Sequence, residues 1–104
     1  MKDEFLSLPL IKNEEKKRFE LEVEGHIAFT EYLERNNVIR LIHTESPEAI
    51  AGRGVATALV EKTLNYIEQN NYLLIPLCPL VFAYIKRHPE WKRIVDPSFN
   101  KWDA

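Results

Sequence analysis

Leu41-Ile42-His43-Thr44-Glu45-Ser46-Pro47-Glu48-Ala49-Ile50-Ala51-Gly52-Arg53-Gly54-Val55-Ala56 is the stretch on which the reading of this chain turns. An apolar run with strand character passes through a short loop into Gly-x-Gly-x-Ala, and a helical pattern begins at once. Gly52 and Gly54 have no side chain to place in a core. They let backbone N–H groups approach a ligand closely, and the start of the helix adds partial positive charge. That combination suits a pyrophosphate. A tight strand-to-helix turn without a ligand uses the same residues, so the flanking sequence has to decide.

Upstream, Phe19, Leu21 and Val23 alternate with Glu20, Glu22 and Glu24, the period of a half-buried strand. After Gly25 a second strand alternates Ile27, Phe29 and Glu31 with Ala28, Thr30 and Tyr32. Arg35-Asn36-Asn37 supplies a turn, and a third strand follows over 38–44. Three strands on short turns make an antiparallel meander. Downstream, Val55, Leu59, Val60, Leu64 and Ile67 recur at helical spacing and predict a helix over 54–70. Residues 72–77 read as a short strand buried on both faces, and a strand-helix-strand unit sets its two strands parallel. Pro79 opens a second helix over 80–87, which Pro89 ends. The expected fold is α+β, a mixed sheet in which a meander is followed by a strand-helix-strand crossover and a C-terminal helix. Residues 1–16 read as a loosely docked lead-in with a short edge strand, 17–95 as the domain and 96–104 as a tail. Trp91 and Trp102 are expected in the core or in docking that tail.

The bulk numbers narrow the function. At 104 residues the chain is one domain, and a formal net charge of -2 argues against a nucleic-acid binder. Cys78 is the single cysteine, which excludes an internal disulfide and argues against a metal site. The sequence has no signal-peptide pattern and no apolar run of membrane-spanning length, so a cytoplasmic protein without membrane partners is expected. A Walker loop would need Lys-Ser/Thr after Gly54, where Val55-Ala56 stands, and a dinucleotide fingerprint would need a small residue at Thr57 and βαβ units throughout. A phosphate-bearing cofactor of another kind fits better.

Gly52-Arg53-Gly54-Val55-Ala56 resembles the acyl-CoA pyrophosphate loop of the GCN5-related N-acetyltransferases. The likeness is to a small, minimal branch of that superfamily and spans about 17–93. It rests on His43-Thr44-Glu45, the glycine loop, Pro76-Leu77-Cys78-Pro79, and Tyr84-Ile85-Lys86-Arg87-His88-Pro89-Glu90-Trp91. One departure is Ala51, where the loop pattern carries Gln or Arg. The resemblance implies that the third and fourth strands of this reading splay apart and admit pantetheine between them, near Thr44 and Cys78. It also implies that the phosphates of acetyl-CoA lie over the amides of Gly52, Arg53, Gly54, Val55, Ala56 and Thr57, with no metal.

Several side chains could carry the chemistry. His43 and Glu45, two apart on a strand, should face one side, where an imidazole and a carboxylate can accept a proton from an amine. The alternative is a hydrogen-bonded structural histidine beside a solvated glutamate. Cys78, before Pro79, falls at a helix N-cap beside the implied pantetheine slot, or is an inert buried thiol. Tyr84 either donates a proton to the departing thiolate, as the resemblance implies, or is a core tyrosine. Arg87 and His88 either contact the cofactor or form a helix end and basic rim, and His26 reads as structural. The expected function is acetyl transfer from acetyl-CoA to an amine of a protein, peptide or small-molecule acceptor. An acyl-CoA-binding module without turnover and a Cys78-dependent thioester enzyme remain as alternatives. The short connection at Gly25 leaves no helices to wall the acceptor site, so that site should be open or completed by a second copy in a homodimer.

Overall fold

The computed structural model describes residues 2–102. Strands β1 (Ile11–Asn13), β2 (Arg18–Val23), β3 (His26–Arg35) and β4 (Val38–Glu45) form an antiparallel meander, and β5 (Leu73–Pro76) joins β4 in parallel. Sheet order follows chain order, β1-β2-β3-β4-β5. Helix α1 (Asp3–Leu6) precedes the sheet, α2 (Val55–Gln69) is the β4–β5 crossover, and α3 (Pro79–Arg87) follows β5. Short 3-10 turns occupy Glu48–Ile50 and Pro89–Ile94. The mixed α+β architecture is the one expected from the sequence, with α2 within a residue of its expected bounds at either end.

One face of the sheet carries the core. Phe19, Leu21, Ala28, Tyr32, Ile39, Leu41 and Leu74 point to α2, which answers with Val55, Leu59, Leu64 and Ile67. The alternation of β2 produces this directly, because Phe19, Leu21 and Val23 fall on the helix side. Asn36 and Asn37 take positive φ of 53° and 64° at the β3–β4 turn, a conformation asparagine tolerates and a two-residue hairpin requires. Beyond β5, Leu74 bridges to Val95, and the Asp96 amide donates to the Leu74 carbonyl at 2.8 Å. Trp102 stacks on Phe82 at 5.3 Å, so the tail docks on α3 through the tryptophan expected to do so.

Two features of the ends shape the site. Within the segment expected to be loosely docked, Phe5 of α1 is only 1% exposed and belongs to the core. The edge strand is held by Lys12, whose ammonium donates to Glu34 Oε1 at 2.6 Å and lies 5.4 Å from the centres of the Tyr32 and Tyr72 rings.

Among the described residues the other face of the sheet lacks a covering helix, since Val23 and His26 are joined by only Glu24-Gly25. This corrects the expectation that β5 is buried on both faces: Leu74 is fully buried, but Leu73 is 38% and Leu77 49% exposed. An apolar run reads alike in either setting, and only the length of a distant connection decides between them.

Because Phe5 anchors α1, Phe5→Ala is expected to lower the unfolding free energy by about 3–5 kcal/mol. Urea titration followed by circular dichroism measures this. A change below about 0.5 kcal/mol would mean that α1 is not part of the core.

Candidate active site

The β4–β5 ladder runs from Val38 opposite Leu73 to Leu41 opposite Pro76, and then the strands part. The last link is the Cys78 amide donating to the Leu41 carbonyl at 2.7 Å. Strand β4 continues through Ile42–Glu45 with no ladder partner on that side among the described residues. Two causes act together. Pro76 and Pro79 have no N–H to give, and α3 begins at once with Cys78 as its N-cap in an extended conformation. The result is a wedge between strands, with the β4 backbone on one side and the Cys78 turn on the other.

A bulge in β4 sets which side chains face this wedge. Glu31 pairs with His43 and Tyr32 with Leu41, so Ile42 has no partner of its own. Strict alternation from Ile39 and Leu41 would carry His43 and Glu45 to the α2 side; the extra residue inverts the pattern. Thr44 turns inward instead. Its Oγ1 donates to Thr30 Oγ1 at 2.9 Å and lies 3.3 Å from Cys78 Sγ. Thr30 is fully buried and Cys78 2% exposed, so this polar group closes the inner end of the wedge. His43 and Glu45 share the opposite, uncovered face, with His43 Nε2 3.7 Å from Glu45 Oε1 and both exposed. Glu31 stands beside them across the ladder.

The glycine loop lies between this strand end and α2. Gly52 and Gly54 have φ of +81° and +85°, which explains glycine at both positions. Gly54 caps α2, and its carbonyl accepts from Ala58 at 3.0 Å, the first bond of the helix. Helix geometry gives the amides of Val55, Ala56 and Thr57 no acceptor within the helix, and no side chain caps them. Space is open above Gly52, where an added Cβ would meet nothing within 4 Å. Arg53 turns away, its guanidinium 2.7 Å from Glu24 and 3.6 Å from Glu4. Nearby, the Ser46 hydroxyl is buried without a hydrogen-bond partner among the described residues. Such a group ordinarily has one.

Tyr84, 5% exposed, points from α3 toward α2 and donates its hydroxyl to Glu61 Oε1 at 2.6 Å. Burial, and then this carboxylate, hold the Tyr84 phenol well above its ordinary range. Its ring lies 4.4 Å from His88, which ends α3 and approaches Glu90 at 4.0 Å. Arg87 is exposed in the last turn.

Residues 18–94 match the family model described as GCN5-related N-acetyl-transferase. The chain belongs to that family. The five-stranded mixed sheet is consistent with the acyltransferase fold, and family membership gives the chain an acetyltransferase-type character. Acetyl-CoA is the co-substrate used generally across the family, and among the described residues no cluster of side chains suits a metal ion.

The structure therefore brings Thr44 and Cys78 together, sets His43 beside Glu45, and presents Gly52 to Thr57 as one loop and helix start. Tyr84 and His88 form a separate pair on α3, with Arg87 beside them at the helix end. Sequence reasoning missed Thr30, Ser46 and Lys2, whose side chain reaches 3.6 Å from the Cβ position of Gly54. Each is an unremarkable residue by local pattern; Thr30 and Lys2 take their places from partners distant in sequence, and Ser46 stands out only through the burial of its hydroxyl.

The bond to Glu61 gives Tyr84 a bracing part between α2 and α3. Tyr84→Phe should cost about 1.5 kcal/mol of stability in urea unfolding. It should leave the affinity for acetyl-CoA within twofold by calorimetry.

Proposed function

We propose that the chain transfers an acetyl group from acetyl-CoA to an amine acceptor. The observation that carries this reading is the juxtaposition of parted strands with a glycine loop whose helix-start amides are free, in a chain of this family. Unpaired β4 backbone can hydrogen-bond the pantetheine amides as a further strand would, and the amides from Gly52 to Thr57, of which Val55, Ala56 and Thr57 have no acceptor within the helix, suit the pyrophosphate. When bound, acetyl-CoA supplies a thioester carbonyl open to attack by the amine nitrogen.

The residues divide the remaining work. His43, on the open face beside Glu45, accepts the proton that the attacking amine loses, directly or through a water. Glu45, 3.7 Å away on the same face, is placed to orient the imidazole. Backbone N–H in the wedge stabilises the negative charge that develops on the carbonyl oxygen. Of the two candidates for protonating the departing thiolate, the geometry favours Cys78. Its thiol lies at the wedge in contact with Thr44, whereas the Tyr84 proton is engaged by Glu61 and the raised phenol is a weaker acid. Arg87 and His88, at the end of α3, are candidates for the distal part of the cofactor. The uncovered face, with Phe29 and Glu31 beside His43 and Glu45 across the ladder, leaves the acceptor side open, which favours a side chain on a protein or peptide, or a small amine.

Calorimetric titration with acetyl-CoA tests the cofactor half of this reading. Saturable one-to-one binding is expected, abolished by Gly54→Asp and retained by Gly54→Asn. The two variants share the strained positive φ and differ in charge. Absence of binding at millimolar acetyl-CoA in the parent protein would overturn the reading.

The transfer half is tested by His43→Ala. The expected result is a fall in kcat of about 100-fold against an amine panel, with acetyl-CoA affinity unchanged within twofold. Unaltered turnover would remove His43 from the chemistry. Complete loss of turnover in Cys78→Ala with a trappable acyl-cysteine would favour a covalent route over direct attack.

A further inference from the structure

The glycine loop has two cations near it, and they differ in availability. Arg53, within the loop, is engaged by Glu24 at 2.7 Å and Glu4 at 3.6 Å. Lys2 forms no ion pair among the described residues, yet its stem packs against the N-cap of α2. Its Cε, Cδ and Nζ lie 3.6, 3.9 and 4.0 Å from the Cβ position of Gly54. An ammonium here and the partial positive charge of the helix start can share one anion.

The position of Lys2 is set by the fold. Lys2 is the N-cap of α1, and its carbonyl accepts from the Phe5 amide at 3.0 Å. Phe5 in turn is 1% exposed in the core, and Glu4 faces Arg53 of the loop. One buried ring and one ion pair thus hold the start of the chain against a loop some 50 residues further on. Beyond the engaged Arg53 the loop offers no cation: position 51 is alanine, and Thr57 is neutral.

We propose that Lys2 is a phosphate-binding residue of this chain, supplying from the N-terminal helix the side-chain cation of the pyrophosphate cradle. This rests on the acetyl-CoA reading above and adds to it a side-chain cation beside Gly54. The phosphate oxygens accept from the amides at the start of α2 and from Lys2 Nζ together. Anion binding and the docking of α1 are therefore coupled.

Calorimetry with CoA, and with inorganic pyrophosphate as a minimal probe, tests the proposal on the full chain. Lys2→Gln is expected to raise both dissociation constants by about tenfold or more and to make CoA binding less sensitive to salt. Lys2→Arg should restore most of the affinity. Lys16→Gln, an equal charge change on an exposed hairpin, should leave binding within twofold. Protection of the Lys2–Phe5 segment from proteolysis by saturating CoA is a second expected readout, independent of turnover. If CoA binds the parent protein and Gly54→Asp abolishes binding while Lys2→Gln does not weaken it, the proposal fails and the acetyl-CoA reading stands. If CoA does not bind the parent protein at all, both fail.

Discussion

The extra residue at Ile42 is the constraint from which the candidate site follows. By breaking the alternation of β4 it sends Thr44 inward to Thr30 and Cys78, and leaves His43 and Glu45 on the opposite face. A regular strand would have carried the imidazole and the carboxylate to the α2 side and Thr44 to the open face. The bulge lies one residue beyond Leu41, the last residue of β4 in the ladder to β5. The change of face and the parting of the strands are thus adjacent, so a buried thiol and an exposed imidazole come to lie at one strand end.

The wedge itself has a backbone origin. Two prolines flank Cys78 within four residues, and neither can donate a hydrogen bond. The chain turns into α3 immediately after the Leu41–Cys78 bond, leaving the end of β4 with polar groups on that side. Backbone amides and carbonyls left in this way need partners. An extended ligand bearing amides meets that need without any change of fold. The amides at the start of α2, without an acceptor inside the helix, make the same demand on the neighbouring segment.

The small size of the chain shows in what is missing from the far face. With two residues between β2 and β3, no helix crosses the sheet there, and Leu33, Ile42 and Leu73 remain exposed. The core depends on α2, α3 and the short α1, which makes the N-terminal residues structural as well as close to the glycine loop. In a domain this size, Phe5 is a sizeable share of the apolar burial on which stability rests.

The amino-acid sequence by itself determined the order and type of the main elements. These follow from local causes: the period-two pattern of 19–24, the helical spacing from Val55 to Ile67, the asparagine turn, the two glycines with positive φ, and the prolines around Cys78. The glycine loop and its link to an acyl-CoA family were legible for the same reason, being contiguous. Tertiary structure alone decided the face on which His43 stands, the contact of Thr44 with Cys78, the engagement of Tyr84 by Glu61, and the placement of Lys2 over Gly54. Each depends on residues between 12 and 52 positions apart. A bulge, in particular, is defined by the partner strand: Ile42 is an ordinary strand residue until Glu31 and Tyr32 are set opposite its neighbours.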